Sequence, residues 1–292
     1  MKFILPILLI VLLFQPARAQ MSETDREWNR PVEPFRIVGN VYYVGAAEIT
    51  SFLIATPDGH VVIDGGYRET APQIVANIKK LGFQPADVRV LLNSQAHYDH
   101  AGGLAELKRA TGARLLVAPG DAPLIERGGT NDFHFNDRFP FEAVKVDKLL
   151  KDGEKIKLGG TTIKAVFTPG HTKGCTSFTV ETTEDGRKYT VVFVGSTTVP
   201  GYDLAGNEKY PQIVADYEKS FRRLKKIRAD VFLGSHGQFF GLAEKAEKRR
   251  QGNGPNPFVD PDGYRRFLEQ TESQFRERLK AQRTAGAKPN AR

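Results

Sequence analysis

The 292-residue chain has a single cysteine, Cys175, so no internal disulfide can form. Stability in an oxidising compartment then has to come from a packed core and from bound metal. No neighbour in sequence marks Cys175 as an activated thiolate, and it reads as a small buried side chain. The long apolar run, Phe3 to Phe14, is too short for a comfortable membrane span, and no cysteine follows it to carry a lipid. Neither a Pro/Ser-rich linker nor a charge block divides the rest, so residues 20–292 are expected to form a single domain, with 284–292 as a small, polar, frayed tail. Charge of one sign is also in short supply. The formal +8 falls by two when Lys2 and Arg18 leave with residues 1–19. Much of the remainder, on Arg222, Arg223, Lys225, Lys226 and Arg228 and on Lys245, Lys248, Arg249 and Arg250, is spaced like the wet faces of two helices. A nucleic-acid partner is not expected, whereas attraction of small anionic substrates is compatible with this surface.

What is present begins with an address. Lys2, the apolar run and Ala17-Arg18-Ala19 stand in the order of a secretory signal cleaved after Ala19. The mature chain would start at Gln20, in the periplasm, with no stable membrane association.

Beyond it, short β-rich runs at 35–38, 41–44, 51–55 and 60–63 are broken by Gly-Asn, Gly-Ala and Pro57-Asp58-Gly59, the pattern of an antiparallel meander. His60 opens a strand beside a turn and reads as solvated. From Thr70 to Leu81 the spacing becomes helical, with Gly82 as the stop. Val88 to Leu92 is a buried strand, a helix through Leu104, Leu107 and Ala110 follows, and 114–118 is another strand. Residues 128–135 form an aromatic, glycine-rich loop of the kind that closes over a substrate, with His134 an exposed loop histidine. Strands return at 155–158, 161–167, 177–182 and 189–194. A helix on Tyr217, Phe221, Leu224 and Ile227, the strand 231–233, and a final helix on Tyr264, Phe267, Leu268, Phe275 and Leu279 complete the chain. Strands then helices, twice over, predict two sheets face to face with helices outside, an α+β αββα sandwich.

The chemistry concentrates in Asn93-Ser94-Gln95-Ala96-His97-Tyr98-Asp99-His100-Ala101-Gly102-Gly103. Two imidazoles, a carboxylate and an amide within six residues are donors suited to Zn²⁺, and the two glycines are expected to let the backbone turn tightly around an ion. Side chains this close do not easily share one ion, which suggests two. His171, in Thr168-Pro169-Gly170-His171, and His236, in Leu233-Gly234-Ser235-His236-Gly237, each follow a strand and adjoin glycine. Strand ends of a layered fold meet on one rim, so these loops are expected to converge.

These motifs, with Trp28 to Pro31, Tyr42 to Gly45, Ile63-Asp64-Gly65-Gly66 and Ser196 to Leu204, resemble the metallo-β-lactamase superfamily and specifically its subclass B3 enzymes. The resemblance covers nearly the whole mature chain. It implies the αββα sandwich and one or two zinc ions at the sheet edges, with Gln95, His97 and His171 as one ligand set and Asp99, His100 and His236 as the other. Gln95 departs from the family pattern His-x-His-x-Asp-His, and an amide oxygen is a weaker donor than imidazole. Ser196 stands where lactonase and glyoxalase-like members have a bridging aspartate, which favours the lactamase branch. Ser196 and Thr198 would line the substrate pocket and Tyr202 would polarise the substrate. The implied activity is hydrolysis of small-molecule β-lactams, hence antibiotic resistance, with hydroxide generated on zinc as nucleophile and Asp99 orienting it. The alternatives are an exported lactonase or thioesterase-like hydrolase and a non-catalytic zinc-binding homologue. Oligomeric state stays open.

Overall fold

The computed structural model describes residues 21–252 and 254–286, so the segment expected to be a signal sequence and the last tail residues lie outside the described residues. A short helix α1 (Glu23–Trp28) precedes the meander β1 (Phe35–Val38), β2 (Val41–Tyr43), β3 (Phe52–Thr56) and β4 (Gly59–Ile63). Helix α2 (Thr70–Lys80) leads to β5 (Val88–Leu92), then α3 (Tyr98–Ala101), α4 (Leu104–Thr111), β6 (Arg114–Val117), α5 (Ala122–Glu126) and β7 (Lys148–Leu149). The second half runs β8 (Lys155–Leu158), β9 (Thr161–Phe167), β10 (Thr176–Glu184), β11 (Arg187–Val194), α6 (Ile213–Leu224), β12 (Val231–Gly234), α7 (Leu242–Gln251) and α8 (Pro261–Gly286).

Strands β1 to β7 lie side by side in chain order, antiparallel up to β4 and parallel from β4 to β7. The other sheet has the order β12-β11-β10-β9-β8, antiparallel except for the β11–β12 pair. Two mixed sheets with helices outside are the expected sandwich. The two-residue period of a strand explains how the first sheet packs on both faces. Phe52, Ile54, Val61, Ile63 and Leu92 point into the layer between the sheets, against Phe178, Val191 and Phe193. Their neighbours Leu53, Val62 and Leu91 point the other way, onto Ile74 and Ile78 of α2 and Leu104 and Leu107 of α4. Each such side chain contributes about 1.5–3 kcal/mol by leaving water. α2 stops where Gly82 takes φ +85°, and α4 where Gly112 takes φ +71° and returns its N–H to the Lys108 carbonyl, conformations that side chains with a Cβ resist.

Several expectations need correction. His60 is buried rather than solvated, because Phe83, in the loop after α2, lies edge-on against its ring at 4.8 Å and the Thr56 N–H reaches its Nδ1. β10 and β11 extend to a tight hairpin at Asp185-Gly186, both with positive φ, two residues on each strand beyond the ends expected from hydrophobicity. Helix α8 continues through Gly286, three residues into the segment expected to be a tail. The polar lead contains α1, capped reciprocally by Ser22 and Asp25.

Candidate metal centre

The carboxyl ends of β4, β5, β9, β11 and β12 form one rim, stitched across the two sheets by Thr176 N–H to the Ser94 carbonyl (2.8 Å) and Thr50 Oγ1–H to the Gly234 carbonyl (2.8 Å). β5 delivers the motif to this rim. Asp64, at the end of β4 with φ +66°, accepts from Ser94 N–H (2.7 Å), Ser94 Oγ–H (2.5 Å) and Asn93 Nδ2 (3.0 Å), and its Oδ2 lies 3.7 Å from His100 Nδ1. One buried carboxylate thus ties the start of the motif to its end. His97 has extended backbone and its carbonyl accepts the N–H groups of His100 and Ala101. Its ring therefore leaves in one direction while Asp99 and His100, on the following helical turn, leave in another. That is why six residues feed two separate donor sets.

Gly102 and Gly103 do not supply the tight turn expected of them, since their φ angles are −57° and −89°. Their function is close approach. A Cβ on Gly103 would sit 2.2 Å from the Gly65 carbonyl oxygen, and the Gly103 N–H donates to the Gly66 carbonyl at 3.0 Å. The glycine pair after β4 and the pair after α3 are pressed backbone to backbone.

In the first set, His97 Nδ1 and His171 Nε2 are 3.2 Å apart. His171 Nδ1 lies 2.9 Å from the Thr198 carbonyl, which can only accept, so Nδ1 carries the proton and Nε2 presents its lone pair. Burial holds the His171 imidazolium well below its ordinary pKa and lowers that of His97 to about 4, so both rings are neutral donors at pH 7. Gln95 is buried and its Oε1 has no hydrogen-bond partner among the described residues. In the second set, Asp99 Oδ2, His100 Nε2 and His236 Nε2 lie 3.2–3.4 Å from one another. Burial would raise the Asp99 pKa, but the charge of His100 and hydrogen bonds from His100 and His236 outweigh it and hold the carboxyl well below the usual range. Trp28 of α1 lies edge-on to His236 at 5.2 Å.

These donors fit a divalent metal on their own geometry. Two nitrogens bound to one tetrahedral zinc stand about 3.3 Å apart, and the imidazole pairs stand 3.2 and 3.3 Å apart. The Gln95 amide oxygen, buried without a donor two residues before His97, is the kind of group a cation would satisfy.

The flanking residues divide differently from expectation. Ser196 is buried, its Oγ 3.1 Å from Thr198 Oγ1, while Thr198 is half-buried and its Oγ1 lies 3.4 Å from His171 Nδ1. Tyr202 is not placed to polarise a substrate. It is fully buried, and its hydroxyl donates to the His171 carbonyl at 2.9 Å, bracing that loop from behind. His134 is half-buried between the rings of Phe135 and Tyr202 rather than exposed. Its loop covers the first set: Phe135 lies edge-on to His97 at 5.0 Å and Phe139 stacks on Tyr98 at 4.4 Å. Cys175 is buried and burial pushes its thiol far above its ordinary pKa, as an inert side chain requires. Two buried acids at strand ends escaped sequence reasoning as functional residues, Asp64 and Asp121. The second follows Pro119-Gly120 at the end of β6, and the only signal was an acid next to a turn just past an apolar strand.

The chain is similar in structure to the FEZ-1 metallo-beta-lactamase of Legionella gormanii, with 43% identity, 88% of this chain and 98% of that one covered, and a TM-score of 0.86. BJP-1, a subclass B3 metallo-beta-lactamase of Bradyrhizobium japonicum, is 37% identical over 89% of this chain and 98% of that one, with a TM-score of 0.84. Among curated proteins, an N-acyl homoserine lactonase of Azorhizobium caulinodans is 29% identical over 205 residues, 61% of this chain and 74% of that protein. The chain spans about half or less of the length of the first curated relatives it matches. The profile of the metallo-beta-lactamase superfamily matches residues 44–236, from the end of β2 to the last histidine of the site, and the chain belongs to that superfamily.

Proposed function

We propose that this chain is an exported zinc β-lactamase that hydrolyses the lactam amide of penicillins, cephalosporins or carbapenems and so confers antibiotic resistance. The observation that carries this reading is the convergence of two donor sets on one rim, in a chain that matches B3 enzymes over nearly their whole length. His97 Nδ1, His171 Nε2 and the Gln95 amide oxygen would hold one zinc, and Asp99, His100 and His236 the other. The chemistry that bound zinc supplies is acidification of water to a pKa of about 7 and withdrawal of charge from the lactam carbonyl. The protein's own residues do the rest. Asp99 offers an anion at neutral pH and orients the attacking oxygen. Thr198, partly exposed beside His171, would be the hydroxyl that meets the substrate, supported by the Ser196 hydroxyl 3.1 Å away. Phe135 keeps bulk water off His97. No protein nucleophile is needed, and the buried Ser196 is not offered as one.

A second reading, hydrolysis of lactones or thioesters, draws on the curated relatives, which include homoserine lactonases and hydroxyacylglutathione hydrolases. Ser196, in place of the bridging aspartate that such members resemble one another in carrying, counts against it. The test is a panel of chromogenic cephalosporin, carbapenem, N-acyl homoserine lactone and hydroxyacylglutathione, each with and without chelator and with a serine-directed acylating inhibitor. Lactam turnover abolished by chelator and indifferent to the inhibitor is expected. Turnover of the lactone or thioester alone, or lactam turnover that survives metal removal, contradicts the reading. Among the described residues no helix is long and apolar enough to cross a membrane. Export with cleavage after Ala19 is checked by intact mass of periplasmic protein, where retention of residues 1–19 contradicts it.

A further inference from the structure

Asp121 precedes α5 at the position where an aspartate ordinarily caps a helix by accepting an N–H from its first turn. It makes no such bond. Its carboxylate turns the other way, into the space between two loops, and is 2% exposed. Oδ2 accepts from the Ala96 N–H (3.0 Å) and from the Thr172 hydroxyl (2.7 Å), and Oδ1 accepts from the Gly174 N–H (2.7 Å). The surrounding backbone is shaped for this contact. A Cβ on Gly174 would lie 2.3 Å from Asp121 N, and a Cβ on Gly120 would lie 2.3 Å from the Lys173 carbonyl oxygen. The two segments fit only because both positions are glycine.

The residues held are informative. Ala96 stands between Gln95 and His97, and Thr172 directly follows His171. One carboxylate therefore grips the chain beside all three members of the first donor set and touches no neighbour of His236. It makes two bonds to the His171 loop and one to the β5 loop, so it sets how far apart those loops stand. Asp64 has a related position at the other end of the motif, bonded to Ser94 and Asn93 with its Oδ2 3.7 Å from His100 Nδ1, whereas Asp121 bonds to both the β5 loop and the His171 loop.

We propose that Asp121 is the positioning residue of the first metal position, fixing the His97–His171 separation and with it the affinity for the ion these residues share with Gln95. The proposal rests on the reading of Gln95, His97 and His171 as one metal-binding set. The carboxylate does not touch metal or substrate; it acts through Ala96, Thr172 and Gly174. A merely structural role would lower the stability of the fold and disturb both metal positions alike, while a positioning role is selective.

The experiment uses the full mature chain as wild type, Asp121→Asn and Thr172→Val. Asn retains one acceptor and turns the other into a donor, facing N–H or O–H groups that themselves donate. Val removes only the Thr172 hydroxyl. Zinc affinity is measured at both positions by competition with a chromophoric chelator, and ring ¹⁵N resonances of the histidines are recorded in metal-free protein. Asp121→Asn is expected to weaken the looser zinc by about 10- to 100-fold, the range of lost outer-sphere contacts, with the tighter zinc unchanged. The ring resonances of His97 and His171 should move while those of His100 and His236 stay. Thr172→Val should do the same to a smaller degree, and it decides the matter if the Asn variant does not fold. Equal weakening of both zincs, or unmoved His97 and His171 resonances in the variants, overturns the proposal. A wild type that takes up no zinc overturns the metal reading instead, and the metal-free ring resonances still decide whether Asp121 positions the two imidazoles.

Discussion

Asp99, His100 and His236 bring an anion and two imidazoles within 3.4 Å of one another, whereas His97 and His171 meet as two imidazoles at 3.2 Å with no anion between them, the buried amide of Gln95 being the proposed third donor. The difference shows in the titration of the groups. Burial works against charge on His100, yet the neighbouring Asp99 carboxylate, within hydrogen-bond distance of its ring, raises its pKa. In the first set nothing opposes burial strongly enough, and His97 and His171 are both shifted downward. That set is held from outside, by Asp121 across the loops, by the Thr198 carbonyl on His171 Nδ1 and by the Tyr202 hydroxyl on the His171 carbonyl. One donor set is assembled by its own charges and the other by the scaffold. The first to fill with zinc should be the one that carries the anion.

The largest effect that would break this comparison is at His236. His236→Ala should remove the tightest zinc and lower kcat by at least about 10²-fold, the scale of losing one strongly stabilising group at a reacting centre. Metal stoichiometry and steady-state rates check it, and a variant that keeps its tightest zinc reverses the ranking of the two sets. Gln95→His sharpens the contrast from the other side. Replacing the amide by an imidazole should tighten the looser zinc by about tenfold or more, comparable with the lower end of outer-sphere effects, and leave the tighter one alone. A chelator competition in which the tighter zinc responds instead would misplace Gln95. The smallest effect is expected at Tyr202→Phe, which deletes one hydrogen bond to the His171 carbonyl. Thermal unfolding should report a loss of about 0.5–1.5 kcal/mol, with kcat close to wild type. A fall in kcat of the size expected at His236 would mean that the hydroxyl reaches the substrate after all.

How much of this was legible in the sequence follows from what each residue answers to. β4 and the end of β5 were readable because they are buried on both faces, which demands apolar runs such as Val61-Val62-Ile63 and Leu91-Leu92 and ends each run at a sharp change of chemistry. His171 and His236 stood out for the same reason, as histidines placed just past buried strands. The outer ends of β10 and β11 were lost because Thr183, Glu184, Arg187 and Lys188 project away from the core and carry no hydrophobic signal, although Asp185-Gly186 is a hairpin dipeptide. His60 was misjudged because its cover, Phe83, arrives from beyond the next helix. Asp64 and Asp121 were invisible as functional groups because their partners are backbone N–H groups 25 to 53 residues away, which no local pattern encodes. Tyr202 and the glycines at 102 and 103 do lie at the site, but they brace its loops instead of meeting a ligand. A tyrosine near a site and a glycine pair after a ligand motif look alike whether they face the ligand or brace the loop that does.

The central claim, that the donor set with the anion is complete and the set with Gln95 is secondary, is tested most directly by titrating zinc into metal-free protein while following both activity and bound metal. Lactam hydrolysis should rise with the first equivalent and reach most of its final value there, with His236→Ala abolishing that tight equivalent and Gln95→Ala leaving it bound. Activity that waits for the second equivalent, or a tight zinc lost in Gln95→Ala and retained in His236→Ala, would contradict the account.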